Sequence, residues 1–384
     1  MKGFINANVY VEGKGIVKTN IGFEGGKIAY IGDCADGIEA IATLAENQVV
    51  IPGFVDEHIH GAGGSDAMDG TVEALATIAE NVASEGTVAF LATTMTQSPE
   101  NITKAMQAVK TYRESAPVTG AEVAGIHLEG PFISTKHIGA QPLEYVAAPS
   151  VEVFKGYNEA SGNAIRIVSM APEVEGGMEL VEYLADNGIV ASLGHTDATY
   201  DVIEKALEKG LCNVTHTFNA QKPLHHREIG TVGSALLLDG LNCEMICDTI
   251  HVSVPAMRLV IKSKPHGKVT LVTDAMRAKN LPDGESELGG QLVIVKNGEA
   301  RLENGALAGS VLRMNDAIKN LVTKCGVAFT DAIDFATINP ATNISLSDRL
   351  GSIACGKDAS VAVMNTDTFA IDLTLRQGNV IYSK

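Results

Sequence analysis

The chain has 384 residues, of which 45% are hydrophobic, 39 are Gly and none is Trp. This is enough apolar material for one large domain, or for one large and one small. A formal net charge of −17 excludes nucleic acid and anionic membrane as general partners, so an anionic ligand has to meet a local cluster of positive groups.

The first residues, MKGFINANVYVEGKG, lack the apolar core of a signal peptide. No run of about 18 apolar residues suggests a membrane span. The six cysteines, Cys34, Cys212, Cys243, Cys247, Cys325 and Cys355, form no CxxC pair. Free thiols in a reducing cytoplasm are the expectation.

Residues 1–50 predict short strands. GFINANVYVE, IVKTNIGFEGG and KIAYIGD are β-rich and broken by Gly and Asp. The tail behaves alike in DASVAVMN and GNVIYSK. The two ends are expected to meet as one small all-β piece.

The middle alternates. Apolar strand-like runs occur at 49–58, 87–94, 122–129, 165–172, 188–195, 212–218, 243–248 and 268–274. Most are unbroken, as strands buried on both faces should be. Helical spacing with a Gly stop marks TVEALATIAENVASEG, and NITKAMQAVKTYRE, GMELVEYLADNG and DATYDVIEKALEKG follow suit. Eight βα units in series predict an α/β fold, the (β/α)8 TIM barrel. Residues 285–307 break the rhythm as a β-hairpin insertion turning at Asn297-Gly298. The last helices are predicted in MNDAIKNLVTKCG and TDAIDFATINP.

Barrel enzymes work at the C-terminal ends of their strands. Here those ends are polar. The first run ends in VDEHIHG, with His58 and His60 two apart and therefore on one face of a strand. The third ends in His127 and Glu129, the fifth in His195, the sixth in His216 and the eighth in Asp274. One βα unit separates His195 from His216, which puts them on adjacent strands about 4.8 Å apart. That separation suits two imidazoles on one ion. A lone strand-end His is usually structural, and His127 is assigned to the surroundings of the site. His58, His60, Glu129, His195, His216 and Asp274 together point to metal. Asp274 is either a further ligand or the base for an activated water. After the sixth run, Lys222, His225, His226 and Arg227 form a positive island in an acidic chain, a solvated loop or an anion grip.

The order HxH, acidic residue, His, His, Asp on eight strands resembles the amidohydrolase superfamily. PGFVDEHIHG, HLEGPF, LGHTDA, THTFNA, LVTDAM and AGS are similar, within it, to segments of the N-acetylglucosamine-6-phosphate deacetylases, and the resemblance covers nearly the whole chain. It implies a barrel over 51–350 and a small β-sandwich domain from 1–50 with 351–384. Glu129, His195 and His216 would hold a divalent transition metal, Zn or Fe. His58 and His60 match a position where the family varies, so one or two ions are implied. Asn219, Ala220, Arg227 and His251 match residues that grip a sugar phosphate, and Leu307, Ala308 and Gly309 match a substrate-facing turn. Some members carry a His where this chain has Gln141, after Ala140; Gln can donate a hydrogen bond but carries no charge. The implied activity is metal-dependent hydrolysis of the acetamide of N-acetylglucosamine 6-phosphate by a cytoplasmic homodimer, with Arg227 reaching the neighbouring subunit's site. The galacto isomer is an alternative substrate. A cyclic amidase is disfavoured by the positive island and by Glu129 in place of a modified Lys. A non-catalytic scaffold is disfavoured because every ligand position and Asp274 are present.

Overall fold

The apolar runs become parallel strands, because only a strand covered on both faces can afford so few polar residues. In the computed structural model, which describes residues 1–115 and 117–384, the barrel strands are Phe54–Ile59, Thr87–Thr93, Glu122–Glu129, Ile165–Met170, Val190–Leu193, Asn213–Val214, Asn242–Ile246 and Val269–Val272. They hydrogen-bond in chain order. The last returns to the first at the mouth: Asp274 N donates to His58 O at 2.8 Å, and His60 N to Ala275 O at 2.9 Å. The buried Asp56 carboxylate adds to this seam by accepting from the main-chain N–H and the hydroxyl of Thr273. Barrel closure therefore sets His58 beside Asp274.

The outer helices form where the spacing predicts. Val72–Ala83 starts at Thr71, whose hydroxyl accepts from Ala74 N at 3.2 Å, and it buries Leu75, Ile78, Ala79 and Val82. Such a stripe at three- and four-residue intervals faces the barrel wall. Pro99–Ser115, Gly177–Asp186 and Tyr200–Glu208 also match their predicted segments. Three further helices, Val151–Ala160, Gly230–Leu237 and Val254–Ser263, follow the third, sixth and seventh strands, and Met314–Asn320 with Phe329–Ala336 close the ring after the eighth, in the two segments predicted as the last helices.

The run at 49–58 is not one strand. It splits at Gly53, where a Cβ would lie 2.2 Å from a Val88 methyl. Gln48–Pro52 joins the terminal strands, and Phe54–Ile59 joins the barrel. The chain ends form one continuous path, Asn379–Ser383, Ile371–Arg376, Val361–Asn365, Gln48–Pro52, Lys2–Val11, Gly15–Glu24 and Lys27–Gly32, with Glu39–Ala40 paired to Lys2–Val11. Its core includes Phe4, Val9, Ile21, Phe23, Val361 and Val363. The insertion has three strands, Gly284–Leu288, Gln291–Lys296 and Glu299–Leu302. Asn297 and Gly298 turn the last pair with φ of 53° and 79°, the left-handed conformation that a two-residue hairpin turn requires.

One buried ion pair links three segments. Lys279 Nζ lies 2.5 Å from Glu85 Oε1, both side chains fully buried, and Glu85 Oε2 accepts from Met314 N at 3.2 Å. Replacing Lys279 by Met leaves the buried carboxylate only the more distant Arg313 Nε, 3.9 Å from Oε2, as a cation. The expected loss is about 3–5 kcal/mol of stability, read as a lower denaturant midpoint, with partial recovery in Lys279→Met/Glu85→Gln. An unchanged midpoint in the single variant contradicts the assignment.

Candidate metal centre

His58 and His60 both turn their Nε2 atoms inward. They lie 3.4 and 3.2 Å from Asp274 Oδ1, and 3.6 and 3.3 Å from the two oxygens of Glu129. On the other side, Glu129 Oε1 lies 3.2 Å from His195 Nε2 and 3.0 Å from His216 Nε2. Two sets of ligand atoms result, His58–His60–Asp274 and Glu129–His195–His216, with Glu129 between them. All six residues are buried.

The ring nitrogens are sorted for this purpose. Nδ1 of His58 faces Glu244 Oε2 at 3.0 Å, that of His60 faces Thr93 O at 3.2 Å, and that of His195 faces His137 O at 2.9 Å. Each acceptor holds a proton on Nδ1 and leaves the Nε2 lone pair pointing to the centre. His58 Nε2 is buried without a hydrogen-bond partner, and His195 Nε2 and His216 Nε2 face each other at 3.2 Å. Lone pairs converging in a buried site repel unless a cation lies among them. The donor set, imidazole plus carboxylate, suits a divalent transition metal.

The electrostatics agree. Burial opposes charge on His58, but Asp274, Glu129 and Glu244 outweigh it and lift the ring to about 9. His60 is raised well above its usual range, against burial, by hydrogen bonds to Asp274 and Glu129. Burial disfavours ionised Asp274, yet His58 and His60 hold it down to about 2. The site draws positive charge. His127 behaves differently: burial and the neighbouring His58 push it down to about 4. Its ring nitrogens are occupied by Glu57 O and Ser169 Oγ, and its ring lies 4.4 Å from that of His58.

His195, His216 and Asp274 have φ of 50°, 31° and 48°. Non-glycine residues there carry strain of order 1–3 kcal/mol each. Each lies just past a strand end, where the left-handed turn swings its side chain back over the mouth.

A cavity of about 290 Å³ opens above these residues. Ala140, Gln141, Asn219, Ala220, His251, Leu307 and Gly309 line it. Ala308 instead packs in the core of the insertion. Gln141 donates to Glu129 Oε2 at 2.8 Å and accepts from Thr96 N at 2.7 Å, so its amide is engaged with a ligand residue. Arg227 is exposed, donates to His226 Nε2 at 2.8 Å, and is absent from the cavity wall. Lys222 turns to Asp197 at 3.2 Å. Among the described residues no Lys or Arg lines this cavity.

Two carboxylates in CEMICD escaped the sequence reading. Glu244 holds His58, and Asp248 Oδ2 holds His251 Nδ1 at 2.6 Å. Their signal was an acidic residue inside a buried apolar run, which needs a partner. A larger cavity, about 470 Å³, lies at the opposite barrel end, beside Glu122. Among the described residues its lining holds no converging ligand set, so the chemistry belongs to the mouth.

The model of the amidohydrolase family matches residues 49–381. The chain is 41% identical over 338 residues to the N-acetylglucosamine-6-phosphate deacetylase of Bacillus subtilis (strain 168), covering 88% of this chain and 85% of that one. The crystal structure of that deacetylase from Thermotoga maritima is similar at a TM-score of 0.90 and 33% identity, over 100% of both chains. A mutant of the Mycobacterium smegmatis deacetylase in complex with N-acetyl-D-glucosamine-6-phosphate is similar at 0.90 and 27%, again over 100% of both.

The geometry predicts that His195→Ala/His216→Ala loses most bound transition metal by elemental analysis, and that His58→Ala/His60→Ala keeps about half. Unchanged content in the first variant rules out that ligand set. Unchanged content in the second makes the HxH pair structural.

Proposed function

Because this chain belongs to the amidohydrolase family, we propose that it hydrolyses the acetamide of N-acetylglucosamine 6-phosphate to acetate and glucosamine 6-phosphate. The reading rests on two ligand sets, His58–His60–Asp274 and Glu129–His195–His216, that face each other beneath a cavity. Glu129, His195 and His216 would hold one ion, and His58, His60 and Asp274 would hold a second. Zinc or iron there would polarise the acetamide carbonyl and acidify a water. Six free cysteines fit the reducing cytoplasm to which we assign the enzyme.

Asp274 is the base. Its carboxylate faces the Nε2 atoms of His58 and His60 at 3.4 and 3.2 Å and is ionised at neutral pH. It takes the proton of the attacking water as the water oxygen joins the acetyl carbon. It then delivers that proton to the sugar nitrogen as the C–N bond breaks, since an unprotonated amine leaves poorly. Gln141 steadies Glu129 through its amide. His251, fixed by Asp248, faces the substrate with Asn219 and Ala220, and Leu307 and Gly309 form the opposite wall. Binding through the phosphate orients the acetamide over the centre.

Acetate release tests the activity. Wild type should turn over N-acetylglucosamine 6-phosphate, and the unphosphorylated sugar much less well. Asp274→Asn should keep the fold and lower kcat by roughly 10²–10⁴. Near-normal kcat removes Asp274 from the mechanism. Faster release from the galacto isomer moves the assignment to that substrate.

Arg227 is outside its own cavity, and that cavity lacks a Lys or Arg among the described residues. The phosphate therefore needs a cation from elsewhere, and we assign it to Arg227 of a second copy in a homodimer. Co-expressed Asp274→Asn and Arg227→Ala chains should regain activity in the mixed dimer, because one of its two sites is intact. No recovery in a verified mixed dimer refutes the shared site.

A further inference from the structure

Glu244 is fully buried in the seventh barrel strand and takes no part in the chemistry above. Its Oε2 accepts from His58 Nδ1 at 3.0 Å and from the His216 main-chain N–H at 3.1 Å. Its Oε1 accepts from Asn213 Nδ2 at 2.9 Å. Asn213 is itself pinned: it donates to Ser192 Oγ at 2.9 Å and accepts from Asn242 Nδ2 at 2.6 Å. The carboxylate cannot shift without breaking this network. His127 packs against the His58 ring at 4.4 Å and limits its movement there. A single carboxylate oxygen thus grips the ring of one ligand set and the main chain of the other.

We propose that Glu244 is a positioning residue for the second ion: it fixes the His58 ring so that Nε2 is the nitrogen offered to metal, and it ties that ring to the turn carrying His216. The proposal rests on the reading that an ion sits at His58 and His60. A metal-bound imidazole held through its other nitrogen by a carboxylate is a stronger and better-oriented ligand.

The test is cobalt(II) binding to chelator-stripped protein, followed by stoichiometry and visible spectrum. Glu244→Ala removes the acceptor; Glu244→Gln keeps the size and removes the charge. Both should weaken one of the two binding steps about 10- to 100-fold and alter its cobalt band. Glu244→Ala should add nothing to the loss caused by His58→Ala, because one acts through the other. Unchanged affinity and spectrum in Glu244→Gln overturn the proposal, and this variant decides if the Ala variant does not fold. Losses that add in full overturn it too, since they make Glu244 a general structural group. If His58→Ala itself leaves cobalt binding intact, the second-ion reading falls and Glu244 with it. If His58→Ala loses an ion while Glu244→Gln does not, only the Glu244 proposal falls.

Discussion

Lone pairs facing one another in a buried cluster at the barrel mouth are the constraint on which this structure turns. Two carboxylates and four imidazoles converge there, and all six residues are buried. Such an arrangement is costly unless positive charge enters it. Protons supply that charge in part, as the raised His58 and His60 record. A divalent cation supplies it fully. The strain at His195, His216 and Asp274 and the seam between the first and last strands all serve to hold that convergence. A barrel suits the task because these six residues stand at five different strand ends and cannot relax without disturbing the wall.

The support extends downward. Beneath the ligands, Glu244, Asn213, Ser192, Thr215, Ser169 and His127 form a buried polar layer where a barrel interior is usually apolar. Satisfied networks of this kind rigidify their surroundings. Through Glu244 this layer reaches the His58 ring and the His216 main chain.

Much of this was legible in the sequence. The His, Glu and Asp residues that converge at the mouth sit at strand ends in an order that only a barrel brings together, and unbroken apolar runs reveal strands buried on both faces. Other features were hidden for physical reasons. Gly230–Leu237 contains two glycines and a β-branched pair, so its helix comes from packing rather than propensity. The break at Gly53 depends on contact with Val88, 35 positions away in the chain, which no local pattern announces. Glu244 and Asp248 looked like parts of a strand because their partners, His58 and His251, become neighbours only after folding. The positive island was visible as composition, but its direction was not. Lys222 pairs with Asp197 and Arg227 is exposed, outside the wall of the cavity.

The central claim is that chemistry at this mouth depends on a cation held by Glu129 and its histidines. The most direct measurement is acetate release from N-acetylglucosamine 6-phosphate by chelator-stripped protein, before and after reloading with zinc or iron(II), with bound metal and circular dichroism recorded on the same samples. The account predicts a folded but inactive stripped protein whose activity returns in proportion to the metal bound. A folded, metal-free protein that releases acetate at the reloaded rate would contradict it.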